Sequence, residues 1–189
     1  MLLLTLLLAL LYGKLRGGTI NNFYKEVNKL KSVKIIFIAG LIFVFFIKSP
    51  VTSLEFSLSY HVYFYSLFTI LTLIFYCRNV NNKSILVICV GHILNTIVIV
   101  MNGFKMPVSK SVLLKAGMDN YLINLENNLD PLYQLMTDQT KLWFLSDIFN
   151  ISKAIFLGFI GIFSIGDLIQ AIGLFIFISQ SMTKKPRVI

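Results

Sequence analysis

Eighteen consecutive residues, Ser84 to Met101 (SILVICVGHILNTIVIVM), contain no Asp, Glu, Lys or Arg. As a helix they rise about 27 Å, close to the hydrocarbon thickness of a bilayer. Shorter apolar runs lie near residues 1–15, 33–47, 61–77 and 163–180. With 57% hydrophobic residues in a chain of 189, there is too little polar surface to cover a soluble core. The expected fold is therefore all-α, a polytopic membrane protein with about five transmembrane helices. No internal repeat or linker divides it, so it reads as one integral membrane domain. The first run, MLLLTLLLALLY, has the length of a signal-peptide core. It lacks a basic residue before it and a small-x-small site after it, and reads as a retained anchor. Its shortness calls for Lys14 and Arg16 to snorkel, or for a locally thin bilayer; whether it fully spans is left open.

Basic residues fix the expected orientation, because they accumulate in short cytoplasmic loops. With the N-terminus outside, eleven fall inside (Lys14, Arg16, Lys25, Lys29, Lys31, Lys34, Arg78, Lys83, Lys184, Lys185, Arg187) and six outside (Lys48, Lys105, Lys110, Lys115, Lys141, Lys153). The net charge of +9 is thus topogenic. It forms no basic surface interleaved with aromatics, so a nucleic-acid partner is not expected. Cys77 and Cys89 have no partners at metal-ligand spacing, and neither a zinc site nor a disulfide framework is supported.

Residues 102–162 form the one long loop, placed outside. Five of the chain's eight acidic residues lie there with five lysines, so it is near neutral. It carries YLI, PLYQLM and LWFL at intervals, too apolar for a solvated linker. It reads as a partly helical cap lying on the membrane, with Trp143 in the interfacial belt. Its opening, NGFKMPVSKS, gives the cap its start. Gly103 permits a tight turn, Met106 and Val108 keep to the lipid, and Pro107 fixes an extended segment. Ser109 or Ser111 begins a short helix through Ala116 that Gly117 stops.

Three ordered motifs, NGFKMPVS at 102–109, TKLWFLSD at 140–147 and FSIGD at 163–167, resemble a bacterial family of small multi-pass membrane proteins classed only as a domain of unknown function. Its pattern is an NGG-like turn followed by MPVS, then T-x-L-x-x-L-x-D, then SIGD at the start of the last helix. The matching positions are Asn95, Asn102, Gly103, Met106, Pro107, Ser109, Thr140, Leu142, Asp147, Ser164, Gly166 and Asp167. The resemblance implies a bacterial cytoplasmic membrane location and no particular activity. The chain departs from the pattern at Phe104, which replaces the second glycine, and between Asp147 and SIGD, where a proline-rich stretch is absent. Residues 151–162 are thus open between a loop, a re-entrant segment and an outward extension of the last helix.

Asp167 is the sharpest chemical feature, an acid at the outer start of a membrane helix. Ser164 before it makes SIGD a helix N-terminus, where an acid is stabilised by free N–H groups and the helix dipole. It is also a charge whose burial demands a partner. Asn102 ends the preceding span at the same depth, so Asn95, Asn102, Thr140, Asp147, Ser164 and Asp167 form the candidate polar cluster. His92, Asn95 and Asn102 follow helical spacing on the fourth span, with Thr69, Thr72 or Gln170 opposite; this face reads as interhelical hydrogen bonding or a polar track. No GxSxG elbow or phosphate loop occurs, no catalytic residue is assigned, and neither cofactor nor metal site is expected.

The leading expectation is a non-catalytic membrane protein whose outer cap binds a partner protein or a lipid headgroup. Membrane lipid, a second membrane protein and a second copy of the chain are the candidate partners. One alternative is a carrier of a proton, ion or small polar solute using Asp167 and the His92, Asn95 and Asn102 face. The other is an outer-leaflet, metal-assisted hydrolase or transferase using Asp147 and Asp167.

Overall fold

The computed structural model describes residues 1–48, 53–151 and 161–184. Helices dominate. α1 (Leu2–Leu15), α2 (Ile20–Lys29), α3 (Val33–Lys48), α4 (Leu54–Arg78) and α5 (Lys83–Met101) precede the cap, and α8 (Ile165–Thr183) follows it. Within the cap lie β1 (Met106–Val108), α6 (Lys110–Ala116), α7 (Asp119–Glu126), β2 (Tyr133–Leu135) and β3 (Phe149–Asn150), while β4 (Ile162–Phe163) leads into α8.

Among the described residues, α4, α5 and α8 are long and apolar enough to cross a membrane. α1 and α2 together would supply a fourth span, but they meet at a bend of 119°. α1 and α3 coincide with expected spans, yet rise only about 21 and 24 Å. The structure thus has three to four candidate spans where about five were expected. Large apolar side chains on the long helices face outward, Leu67, Ile70, Val90 and Ile97 among them, as suits a protein surrounded by hydrocarbon.

The sequence makes α2 unlike the others. Phe23, Val27 and Leu30 recur at helical spacing and pack against a core containing Ala9, Phe75, Phe177 and Met182, while lysines occupy its outer surface. Thr19 caps it, accepting a hydrogen bond from the Asn22 amide. The turn before it is fastened to the end of α8, where the Thr19 amide and the Asn22 side chain both donate to the Met182 carbonyl. Lys184 and Lys29 pair with Glu26, and these two ammonium groups hold its carboxyl below the usual range. Lys31 and Asn79 exchange two hydrogen bonds, joining the start of α3 to the end of α4. Lys14, Arg16, Lys25, Lys29, Lys31, Lys34, Arg78, Lys83 and Lys184 therefore share one end of the bundle, opposite the cap.

α8 packs on α5, α1 and α2. Its approach to α5 is set by glycine. A Cβ at Gly91 would lie 2.4 Å from the Gly166 carbonyl oxygen, and one at Gly173 would lie 2.8 Å from the Ile88 amide nitrogen. Small residues let two membrane helices bring their backbones together, the main source of packing energy where hydrocarbon surrounds both. α3 and α4 instead pack through rings, with Phe43 stacked on Phe68 at 5.1 Å and Phe46 on Phe64 at 5.1 Å.

The cap has its own small core of Val108, Leu113, Leu122 and Leu125. β1 pairs in parallel with β2, placing Met106 beside Tyr133 and Val108 beside Leu135. On its other edge β1 meets Asp147: the Asp147 amide donates to the Pro107 carbonyl, and the Ser109 amide donates to the Asp147 carbonyl. β3 then pairs antiparallel with β4, with Phe149 opposite Phe163. These short ladders bring Asp147, two residues before Phe149, against the N-terminus of α8. Ser109 precedes α6 without a side-chain cap bond, and Gly117 ends that helix at φ 70°. The question of how residues 151–162 run falls mainly on residues 152–160, which lie outside those described.

Candidate functional site

The first turn of α8 is closed by a capping box. The Asp167 amide donates to Ser164 Oγ at 3.0 Å, and the Ser164 amide donates to Asp167 Oδ2 at 3.2 Å. Asn95 reaches across from α5 and completes the network. Its Nδ2 donates to Asp167 Oδ1 at 2.8 Å, and its Oδ1 accepts from Ser164 Oγ at 2.8 Å. Gly166 makes this possible, because a Cβ there would fall 2.0 Å from Asn95 Oδ1. Asp167 therefore has both oxygens hydrogen-bonded at the N-terminal end of α8.

Asp147 is placed differently. It is 6% exposed, and its Oδ1 has no hydrogen-bond partner among the described residues. Burial, and secondarily the charge of Asp167, push its carboxyl up to about 7. Asp147, Asp167 and Asn95 line one cavity of about 150 Å³ beneath the cap. Its other walls are Phe43, Tyr65, Ile99, Phe104, Met106, Leu132 and Tyr133; among the described residues no basic side chain lines it. Tyr65 is held by its hydroxyl, which donates to Thr96 Oγ1 at 3.4 Å, and its ring meets Phe104 at 6.2 Å. Burial foremost, and then the charges of Asp147, Asp167 and Asp130, push the Tyr133 phenol up, so it stays neutral.

The predicted residues divide on the structure. Asn95, Ser164 and Asp167 bond to one another, and Asp147 joins them at the cavity. Asn102 ends α5 as a clamp for the cap: its Nδ2 donates to the Val98 and Lys141 carbonyls, and its Oδ1 accepts from the Lys141 amide. Its carbonyl accepts from Gln134. Thr140 closes a local turn through Thr137 and does not line the cavity. His92 lies on the α4 side, its ring 5.7 Å from Tyr76, and Thr72 donates to its own helix at Phe68. Gly103 and Phe104 both adopt left-handed backbone, at φ 73° and φ 64°. The second value is uncommon for a bulky residue, and that strained position is what aims the Phe104 ring into the cavity. Met106 lines the cavity beside Phe104; Pro107 and Ser109 serve the β1 ladder instead.

Sequence reasoning passed over the aromatic walls and Asp130. Asp130 is buried, and its Oδ1 accepts from the Leu132 and Tyr133 amides while Oδ2 accepts from Tyr121. It sets the turn that delivers Tyr133. The signal for such a turn was the DPLY sequence, with an Asp able to bond its own backbone two residues on. Ser84 and Gly91, like Gly166 and Gly173, are seven residues apart, a spacing that would have announced the tight α5–α8 contact.

The arrangement offers anionic charge, one open carboxylate oxygen and several ring faces in a small volume. Among the described residues no group of three or more His, Cys, Asp or Glu side chains stands close enough to hold a metal ion. No curated protein and no solved structure shows significant similarity to the chain. Residues 25–179 match a family of unknown function, DUF5317, and the chain belongs to that family.

Proposed function

We propose that this is a non-catalytic membrane protein whose cap closes over the ammonium group of an organic ligand. The observation that carries this reading is Asp147, buried with an open oxygen and facing Asp167 across an aromatic-lined cavity. A hard divalent ion is a poor match, because it takes six or more oxygen ligands and most of the lining is aromatic or aliphatic carbon. An organic cation suits both wall types: carboxylates neutralise it, and the faces of Phe43, Tyr65, Phe104 and Tyr133 attract it, each contact contributing on the order of 0.5–2 kcal/mol. A volume of about 150 Å³ suits a headgroup rather than a whole drug-sized molecule. The cap and N-terminus lie outside in this reading and the basic end lies in the cytoplasm, since nine described basic residues share that end. Labelling that puts Lys115 and Lys184 in one compartment would sink that orientation.

The test uses tetramethylammonium and the full chain in nanodiscs of digalactosyldiacylglycerol, an uncharged bilayer lipid with no amine. A hydrophobic carbodiimide modifies protonated buried carboxyls, and mass spectrometry reads its attachment at Asp147. Tetramethylammonium is expected to slow that attachment, and to do so several-fold less well in Phe104→Ala. Protection no greater than that of sodium chloride at equal concentration would refute the reading.

One observation favours a second reading. A carboxyl that titrates near 7 can release its proton as a cation arrives, so the same cavity would serve a cation–proton exchanger. Proton-coupled flux of tetramethylammonium into reconstituted vesicles, lost in Asp147→Asn, would favour it; equal flux in both would end it.

A further inference from the structure

The cavity beneath the cap shares a wall with a second, larger one. Phe43 also lines an apolar groove of about 300 Å³ between α3 and α4. Along α3 the groove runs from Ile35 to Phe43, a rise of about 12 Å. Its rim is open to the side, with Ile38 and Leu67 each more than half exposed. Gly40 and Ala39 keep the α3 face low, and a Cβ at Gly40 would meet only Phe68, at 3.7 Å. An unbroken row of rings joins groove to cavity: Phe68 to Phe43 at 5.1 Å, Phe43 to Tyr65 at 6.4 Å, and Tyr65 to Phe104 at 6.2 Å.

Resting on the ammonium reading above, we propose that the ligand is an alkylammonium amphiphile. Its head lies between Asp147 and Asp167, and its hydrocarbon tail lies in the α3–α4 groove. Hydrocarbon of any kind can fill a groove that faces a bilayer, so the groove alone selects nothing. Selection comes from its polar end, where two acidic side chains and, among the described residues, no basic one meet the incoming head. An anionic amphiphile would meet repulsion there, and an uncharged one would leave Asp147 Oδ1 without a counter-charge. Lateral opening lets the tail enter from the membrane while the cap stays shut over the head. Among the described residues, the titratable groups that face Asp147 are Asp167 on α8, Tyr121 on α7, Tyr133 on β2 and Tyr65 on α4; none of these carries a positive charge.

The experiment compares tetramethylammonium with decyltrimethylammonium as protectants of Asp147 against the carbodiimide, using the full chain in the same uncharged, amine-free nanodiscs. Wild type is expected to need at least tenfold less of the decyl compound. Two groove-filling variants, Ala39→Phe and Leu67→Trp, should erase most of that advantage and leave tetramethylammonium protection as it was, which also shows that the variant is folded. Partition of the tail into the bilayer raises its local concentration equally for wild type and variants, so only the loss of the advantage counts. If tetramethylammonium protects but both folded variants keep the full decyl advantage, the tail does not lie in the groove and this proposal falls while the headgroup reading stands. If decyl sulfate protects as well as decyltrimethylammonium, charge selection is absent and the proposal falls too. If neither ammonium compound protects, the headgroup reading has failed and takes the amphiphile with it.

Discussion

Where α5 meets α8, backbone lies against backbone; where α3 meets α4, aromatic rings hold the helices apart and leave a groove. The first contact tolerates no added atom at Gly91 or Gly166. The second has slack around Gly40, whose added Cβ would make one ordinary contact. The polar trio of Asn95, Ser164 and Asp167 sits on the tight pair, and the apolar groove belongs to the loose one. The contrast teaches that charged chemistry in a low-dielectric site needs fixed positions, because hydrogen bonds lose strength quickly with distance and angle. Hydrocarbon packing is non-directional and can be left adaptable.

The most severe way to break this contrast is to enlarge Gly91. Gly91→Leu should lose the folded state, a cost above about 3 kcal/mol, because the obstacle is a backbone carbonyl that no side-chain rotation can clear. It would be seen as absence of monodisperse protein after detergent extraction. Next in size is the pH response of Asp147. Its folded carboxyl lies near 7, above the 3.8 of an unperturbed aspartate, so the folded state holds a proton that the unfolded state gives up. Its contribution to stability is fully present below about pH 4 and is lost as pH rises to about 7, a difference of order 4 kcal/mol. Thermal unfolding should show wild type less stable at pH 7.5 than at pH 4.5, and Asp147→Asn should remove most of that difference.

A smaller effect is expected from Asn95→Ala, which strips Asp167 and Ser164 of their interhelical partner. Hydrogen bonds between membrane helices contribute about 0.6 kcal/mol on average and up to about 1.7, so a loss of about 1–2 kcal/mol should appear in unfolding by denaturing detergent. Gly40→Ala should be the mildest. It meets ordinary van der Waals distance and improves helix propensity, so a change within about 1 kcal/mol, in the stabilising direction, is expected by the same measurement. A loss as large as that of Gly91→Leu would mean that the α3–α4 pair is as tight as the α5–α8 pair.

The positions of the apolar helices were legible because hydropathy is a local property, and α5 departs from its reading only by one residue at the start. The start of α4 was not. Ser53 caps it eight residues before the expected His61, accepting from the Phe56 amide, but Glu55 and three serines break the apolar run there. α2 was not expected as a helix, its lysines being read only as cytoplasmic charges, because three asparagines and three charges dilute its apolar stripe. In the site, Asn95, Ser164 and Asp167 stood out as polar residues among apolar neighbours. Thr140 carried the same signal, yet its hydroxyl is taken by a turn three residues long. The ring walls were hidden for the opposite reason: with 17 phenylalanines and 8 tyrosines, no single ring is distinctive until the chain folds.

The missing methyl at position 166 has a further reach. The oxygen it would strike is the one Ser164 donates to, on the same amide that binds Asp167. Interhelix spacing and the grip of that amide are thus a single variable. A descendant of this chain that admitted alanine there would have to move two helices apart, and in doing so would let go of serine and aspartate together. Drift at this spot is therefore barred by geometry twice over, once for the scaffold and once for the chamber it frames.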